Sequence, residues 1–283
     1  MLDVLRLRRA SAYSAGPGLH QALEFCRRLA AYGIASTIGY SAFPDEPARA
    51  VADVHLAAFD RLSTEDMDCH VSVKLSGLRF DAALFAELTT AAVQSGRRLH
   101  IDALRPETAD ATWLLLESAP RLGQLGTTLP GRWRRSLDDS SRAVGLGISI
   151  RVVKGHWADD LGGSVDPTDG FLEVVDRLRG YESGVAVATH DLSLLRESLR
   201  RLTVSGTPCG AELLLGMPFR RPALAAQQFG VPIRVYVPYG HAWPGYGARD
   251  LVGHPATVLW LVQDLLFGKD KIWRGIERSR TQP

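Results

Sequence analysis

Lysine is the residue this chain has least of among its cations: of 33 basic side chains only four are lysine, at positions 74, 154, 269 and 271. Cysteine is scarcer still. Cys26, Cys69 and Cys209 make an odd number without CxxC spacing, which excludes a disulfide framework or a zinc ribbon as the organising device. No run approaches the roughly 18 apolar residues of a membrane span. The start, Met1-Leu2-Asp3-Val4-Leu5-Arg6, puts charge where a secretory leader needs an unbroken apolar stretch. A reducing cytoplasm is the expected location. Charge of one sign is also missing: 33 basic against 31 acidic residues leave +2 in mixed order, so nucleic acid and anionic membranes are not expected partners. Small molecules are.

What is present is an ordinary globular composition, 46% hydrophobic and 23% charged, over 283 residues. That length allows two domains, but no linker divides the chain, and single α/β barrels of about 250 residues are common. Residues 1–33 read as an arm and a helix, with Leu19, Leu23, Cys26 and Ala30 at helical spacing and Gly33 as its stop; residues 34–283 read as one barrel. Strand-like runs start near Ile34, His70, Leu99, Leu125, Ile148, Val185, Ala211 and Ile233. Helical periodicity or a connecting loop follows each, and a closing helix runs through Val258, Leu261 and Leu265. An eightfold alternation of this kind predicts a (β/α)8 TIM-type barrel. An open dinucleotide-binding sheet would require a GxGxxG turn after its first strand, and none is there.

In such a barrel the chemistry sits at the carboxyl ends of the strands. The stretch Ile148-Ser149-Ile150-Arg151-Val152-Val153-Lys154-Gly155 reads as a buried strand in which Arg151 and Lys154 arrive where the strand runs out into solvent. By the same reasoning Lys74, Asp102, Thr189, His190 and Tyr236 are strand-end candidates. Each alone could be a satisfied structural group; their shared address is what recommends them. Metal hydrolysis fits poorly, because Lys74, Arg151 and Lys154 repel a cation. A Schiff-base role for Lys74 is a minor alternative, since a nearby Asp102 holds it charged. A cationic rim suits an anionic cofactor or substrate.

Taken together, Val-Ser-Val-Lys-Leu-Ser at 71–76, Ile-Asp-Ala at 101–103, Arg-Val-Val-Lys-Gly at 151–155, Ala-Thr-His at 188–190 and Tyr-Val-Pro-Tyr-Gly at 236–240 resemble the proline dehydrogenase family in order and spacing. So does the segment from Trp243 to Leu251, and the match runs from about residue 34 to 265. The resemblance implies a barrel that holds FAD noncovalently and passes a hydride from a carbon next to nitrogen to flavin N5. By position it implies cofactor contacts at Arg151, Val153, Lys154, Gly155, Trp157, Thr189, His190 and Pro130. Arg151 would lie near N5 as a fixed cation favouring the electron-rich reduced ring. The Thr-His turn would open a helix whose free N–H groups suit phosphate. Lys74 and Asp102 would form an ion pair on the substrate side, and Tyr236, Tyr246, Arg249 and Asp250 would complete the substrate pocket.

Departures from the family pattern bear on substrate. The family's closing helix carries Tyr-x-x-Arg-Arg-x-x-Glu, whose paired arginines clamp the proline carboxylate. This chain has Tyr246, Arg249, Asp250 and Gly253 in that register. An acid in place of the second arginine repels a carboxylate. Pro130 replaces a flavin-bonding glutamine, Leu104 an acid, and His156-Trp157 a small residue and a tyrosine. The expected function is therefore an FAD-dependent oxidoreductase acting on a carbon–nitrogen bond, or a nitrogen–nitrogen bond, of an amine that is not free proline, whether free or carrier-bound. Oxygen or a quinone would be the electron acceptor. The alternatives are a proline dehydrogenase with a rebuilt carboxylate site and a flavin-free barrel acting as a binding protein. Scarce lysine hints at a GC-rich bacterial source, where diverged paralogues serve specialised pathways.

Overall fold

The computed structural model describes residues 13–119, 123–159 and 165–241. The glycine pair at 162–163, the expected closing helix and Tyr246, Arg249 and Asp250 lie outside them. In chain order the elements are α1 (Leu19–Ala30), β1 (Ala35–Ser41), α2 (Ala48–Ser63), β2 (Cys69–Val73), α3 (Ala82–Ser95), β3 (Leu99–Ile101), α4 (Ala109–Ser118) and β4 (Leu125–Pro130). They continue with α5 (Ser136–Leu146), β5 (Ser149–Val153), α6 (Pro167–Arg177), β6 (Val185–Ala188), α7 (Leu192–Val204), β7 (Cys209–Leu214), α8 (Arg220–Gln228) and β8 (Ile233–Gly240). The eight strands are parallel, each pairs with the next, and β8 returns to β1, closing the barrel. The expected (β/α)8 fold is what forms.

The helices start and stop for local reasons. Asp81, Asp166 and Asp191 each stand one residue before a helix and accept hydrogen bonds from its first free backbone N–H groups. Gly96 and Gly147 end α3 and α5 in the left-handed conformation that glycine adopts without strain. Helix α1 packs its Leu23, Cys26 and Leu29 stripe inward and lies against β1 and β8.

The hydrophobic core is the shell between strands and helices, not the barrel's interior. Outward residues such as Val71, Val73, Ile101, Ile150, Val152, Val185, Val187, Leu213 and Val235 are buried under the helices. The alternate positions face the axis, and side-by-side pairing links Gly39, Ser72, His100, Gly126 and Ser149 in one layer. A second layer links Thr128, Arg151, Ala186 and Gly210. Barrels of this type usually fill the axis with Val, Ile and Leu; this one fills it with polar and charged groups.

That alternation corrects the expected place of two residues. Arg151 is the middle residue of β5 and is 5% exposed, its side chain not running out into solvent. Because Ile150 and Val152 face the helices, the strand's period of two turns Arg151 to the axis. Tyr236 likewise sits in the middle of β8, not after it. Lys74, Asp102 and Lys154 lie just past β2, β3 and β5, as expected.

Candidate active site

Asp102 is the hub of the site. Its Oδ1 accepts from Ser72 Oγ (2.6 Å) and from Arg151 Nη1 (2.7 Å), and its Oδ2 accepts from the Tyr236 hydroxyl (2.8 Å) with Lys74 Nζ at 3.7 Å. Burial opposes the charge on this carboxyl, but Lys74 and Arg151, with hydrogen bonds from Ser72 and Tyr236, outweigh it and hold Asp102 below the usual carboxylate range. It is a fixed anion. Tyr236 is shifted the other way: burial and the Asp102 charge push its phenol well above the ordinary value, so it stays protonated and donates.

Arg151 is held on two sides. Glu212, on β7, takes its Nε and Nη2 in a bidentate pair, both at 2.7 Å, while Asp102 takes Nη1. Burial works against the guanidinium's charge, and the two carboxylates more than offset it, raising its pKa further. Its carbon also lies 5.2 Å from the centre of the Tyr236 ring. Removing one partner from a buried network like this costs about 3–5 kcal/mol, because the other charge is left unpaired. Lys74 is the loosest member: at 3.3 Å it donates to the Tyr40 carbonyl, and its amine keeps donors free for a ligand.

Space for the phenol is made on β1. A Cβ at Gly39 would stand 2.1 Å from the Tyr236 hydroxyl oxygen, so only glycine fits beside that ring as it now lies.

The β4–β6 side of the rim has a different character. Gly155 follows β5 with φ of +89°, and a Cβ there would meet Pro130 Cβ at 2.8 Å. Val153 and Lys154 give their carbonyls to the N–H groups of Gly131 and Arg132. Arg132 donates from Nη1 to the His156 carbonyl, while its buried Nε has no hydrogen-bond partner among the described residues. Trp157 has one ring face under the Arg105 guanidinium at 4.2 Å, and its carbonyl takes the Trp133 indole N–H. Pro130 spends its carbonyl on Ser136 Oγ and Trp133 N.

Two groups expected on this side are already engaged within the protein. The Thr-His turn does precede a helix, but the N–H groups of Ser193 and Leu194 are taken by Asp191 Oδ1, and Asp191 Oδ2 pairs with Lys154 Nζ at 2.9 Å. The helix start is therefore already capped by an anion. His190 is a brace between strands: Nε2 accepts from Leu214 N (2.9 Å), which leaves Nδ1 as the donor to the Pro218 carbonyl (3.1 Å). Burial lowers its pKa to about 4, so it is neutral. Thr189 accepts from Asp191 N.

The structure thus brings Lys74, Asp102, Arg151 and Tyr236 into one network, with Lys154, Gly155 and Trp157 on an adjoining rim. Ser72 and Glu212 complete the network and were not among the expected residues. A single acid inside the apolar run Ala211-Glu212-Leu213-Leu214 was the available signal, since a carboxylate buried in a strand requires a cation.

A closed parallel barrel with a buried, paired charge network at its carboxyl-terminal end has the form of an enzyme. The chain is 24% identical over 275 residues to Proline dehydrogenase 1 of Bacillus subtilis subsp. natto, covering 91% of this chain and 90% of that one. It is 26% identical over 286 residues to Proline dehydrogenase of Deinococcus radiodurans, at 92% and 90% coverage. The barrel superposes with a TM-score of 0.70 on the crystal structure of proline utilization A (PutA) from Bdellovibrio bacteriovorus inactivated by N-propargylglycine, and with 0.67 on PutA from Corynebacterium freiburgense. Identities are 14% and 17%, and each match covers 97% of this chain but about a third of the other. No family model matches. The chain is thus similar to proline dehydrogenases along nine-tenths of its length and shares its barrel fold with the PutA structures.

Proposed function

We propose that the chain is an FAD-dependent oxidoreductase that removes a hydride from a carbon–nitrogen bond, or a nitrogen–nitrogen bond, of an amine or imino-acid-like small molecule other than free proline. One observation carries the reading: Lys74, Asp102, Arg151 and Tyr236, drawn from four different strands, converge into one network at the carboxyl-terminal end of a barrel similar to proline dehydrogenases along nine-tenths of its length. The departure from proline is supported by Asp250, which stands where the family's second clamping arginine does, beside Arg249.

The residues present fit an anionic, phosphate-bearing cofactor. The buried, orphaned Nε–H of half-buried Arg132, the Lys154 amine and the glycine at 155 lie on one side of the rim, and Arg151 keeps N–H donors at the centre. On this reading Arg151, Val153, Lys154, Gly155, Trp157 and Thr189 hold FAD, and His190 and Pro130 shape its site without donating to it. FAD when bound supplies the two-electron acceptor for the hydride.

Asp102 and Tyr236 orient and do not titrate. Asp102 is a poor base, being fixed as an anion by four partners, and Tyr236 keeps its proton. A substrate amine therefore loses its proton to solvent. Lys74 holds the substrate's acidic end, where the sequence resemblance also assigns Arg249, and Tyr236 packs against its body. Oxygen or a quinone would be the final electron acceptor.

A second reading, proline oxidation with a rebuilt clamp, is favoured by the names of the sequence relatives. Anaerobic mixing of the yellow protein with proline and with other amines separates the two. Bleaching by free proline at roughly 1 per second or faster sinks the altered-substrate reading. A purified chain that neither carries flavin nor takes it up sinks both, and leaves the binding-protein alternative.

A further inference from the structure

We infer that Glu212 is a positioning residue that fixes the orientation of Arg151 and cancels its charge, so that the cofactor meets an electrically balanced network instead of a bare cation. The inference rests on the flavin reading above.

A guanidinium has five N–H donors. Glu212 takes one from Nε and one from Nη2, and Asp102 takes one from Nη1. One N–H on each terminal nitrogen is left without a partner among the described residues. The bidentate pair with Glu212 decides where those two point, because it fixes the plane of the group, and the Tyr236 ring covers a face of it.

The fold is built to allow this pair. Glu212 lies on β7 and Arg151 on β5, with β6 between them, and the inward residues of β6 beside Arg151 are Ala186 and Ala188. Side chains this small leave the axis open for the ion pair to cross. Glu212 is 4% exposed, so water does not screen it. The tally of the network is two cations, Arg151 and Lys74, against two anions, Asp102 and Glu212. Taking away Glu212 has two effects. It leaves one positive charge in excess, and it frees Arg151 to turn its whole fork onto Asp102, at the expense of Tyr236 and Lys74.

The test uses Glu212→Gln, Arg151→Met and the double variant, with the midpoint potential of bound FAD as the readout. Glu212→Gln should raise the potential, since an unbalanced cation favours the electron-rich reduced ring. Arg151→Met should lower it, and the double variant should return close to wild type. In the flavin-free protein the double variant should melt higher than either single variant. A yellow, folded Glu212→Gln protein with an unmoved potential overturns the inference. If that variant does not fold, the double variant still decides, because a potential as low as that of Arg151→Met alone means that Glu212 contributes no charge to the site. A wild-type protein without flavin sinks the flavin reading, and this inference with it; a yellow wild type with an unresponsive Glu212→Gln sinks the inference alone.

Discussion

Asp102 shows how far one side chain can be committed. Both its oxygens are occupied, and its neighbours arrive from β2, β5 and β8. A base must be able to accept a proton, and this carboxylate has nowhere to put one. Its work is to hold three donors at fixed separations. The arrangement is vulnerable from outside the network, at Gly39. Gly39→Ala would set a methyl group 2.1 Å from the Tyr236 hydroxyl and force the phenol off Asp102. Overpacking of this kind costs about 1–3 kcal/mol, so the urea midpoint should fall, and binding of a substrate analogue should weaken with it. Unchanged stability together with unchanged analogue binding would show that Tyr236 moves aside freely and is no part of a rigid site.

Among the elements, α7 is the most instructive. Asp191 caps its first turn with one oxygen and binds Lys154 with the other. Asp191→Ala should cost about 1 kcal/mol of stability. The same change frees a cation and two helix N–H groups at the rim, so affinity for FAD should rise. Asp191→Asn keeps the cap and loses only the charge, and should raise affinity with little loss of stability. Titration of apoprotein with FAD beside a denaturation curve checks both, and a fall in affinity with either variant counts against Lys154 as a cofactor contact.

Much of this architecture was legible in the chain, for physical reasons that differ by element. Strands such as Val71-Ser72-Val73 declare themselves because β-branched residues on the helix side must be apolar, and Lys74 and Asp102 mark strand ends because a charge cannot stay in that shell. Placing Arg151 where the strand runs out into solvent passes over the period of two that turns it inward. Glu212 went unread because its partner is 61 residues away, and no local spacing encodes which cation a buried acid will meet.

At the scale of the whole molecule, four histidines are held neutral. His55 and His190 are lowered to about 4 by burial; His70 and His100 are pushed well below the ordinary value by burial and by the arginines around them. In the unfolded chain each titrates near 6.5. The folded pKa lies below the unfolded one, so their contribution is complete above pH 6.5. It is lost as pH falls from there through about 4, where the unfolded chain binds protons that the barrel refuses. Melting temperature should be flat between pH 7 and 8 and decline steadily from 6.5 to 4, with proton uptake on unfolding. A curve that stays level down to pH 4.5 would mean that these side chains are hydrated and free to charge.

The seam between β1 and β8 sets a timetable for the chain. Ala35 pairs with Arg234, and the ladder continues to Ser41 and Gly240, which joins segments roughly 200 residues apart at a loop-closure cost on the order of 5 kcal/mol. At ribosomal speeds, about 10 to 40 seconds separate the emergence of the two strands. Throughout that interval β1 offers an unsatisfied edge to any passing polypeptide. The same seam that makes the finished barrel edgeless makes the nascent one dependent on protection until its eighth strand arrives.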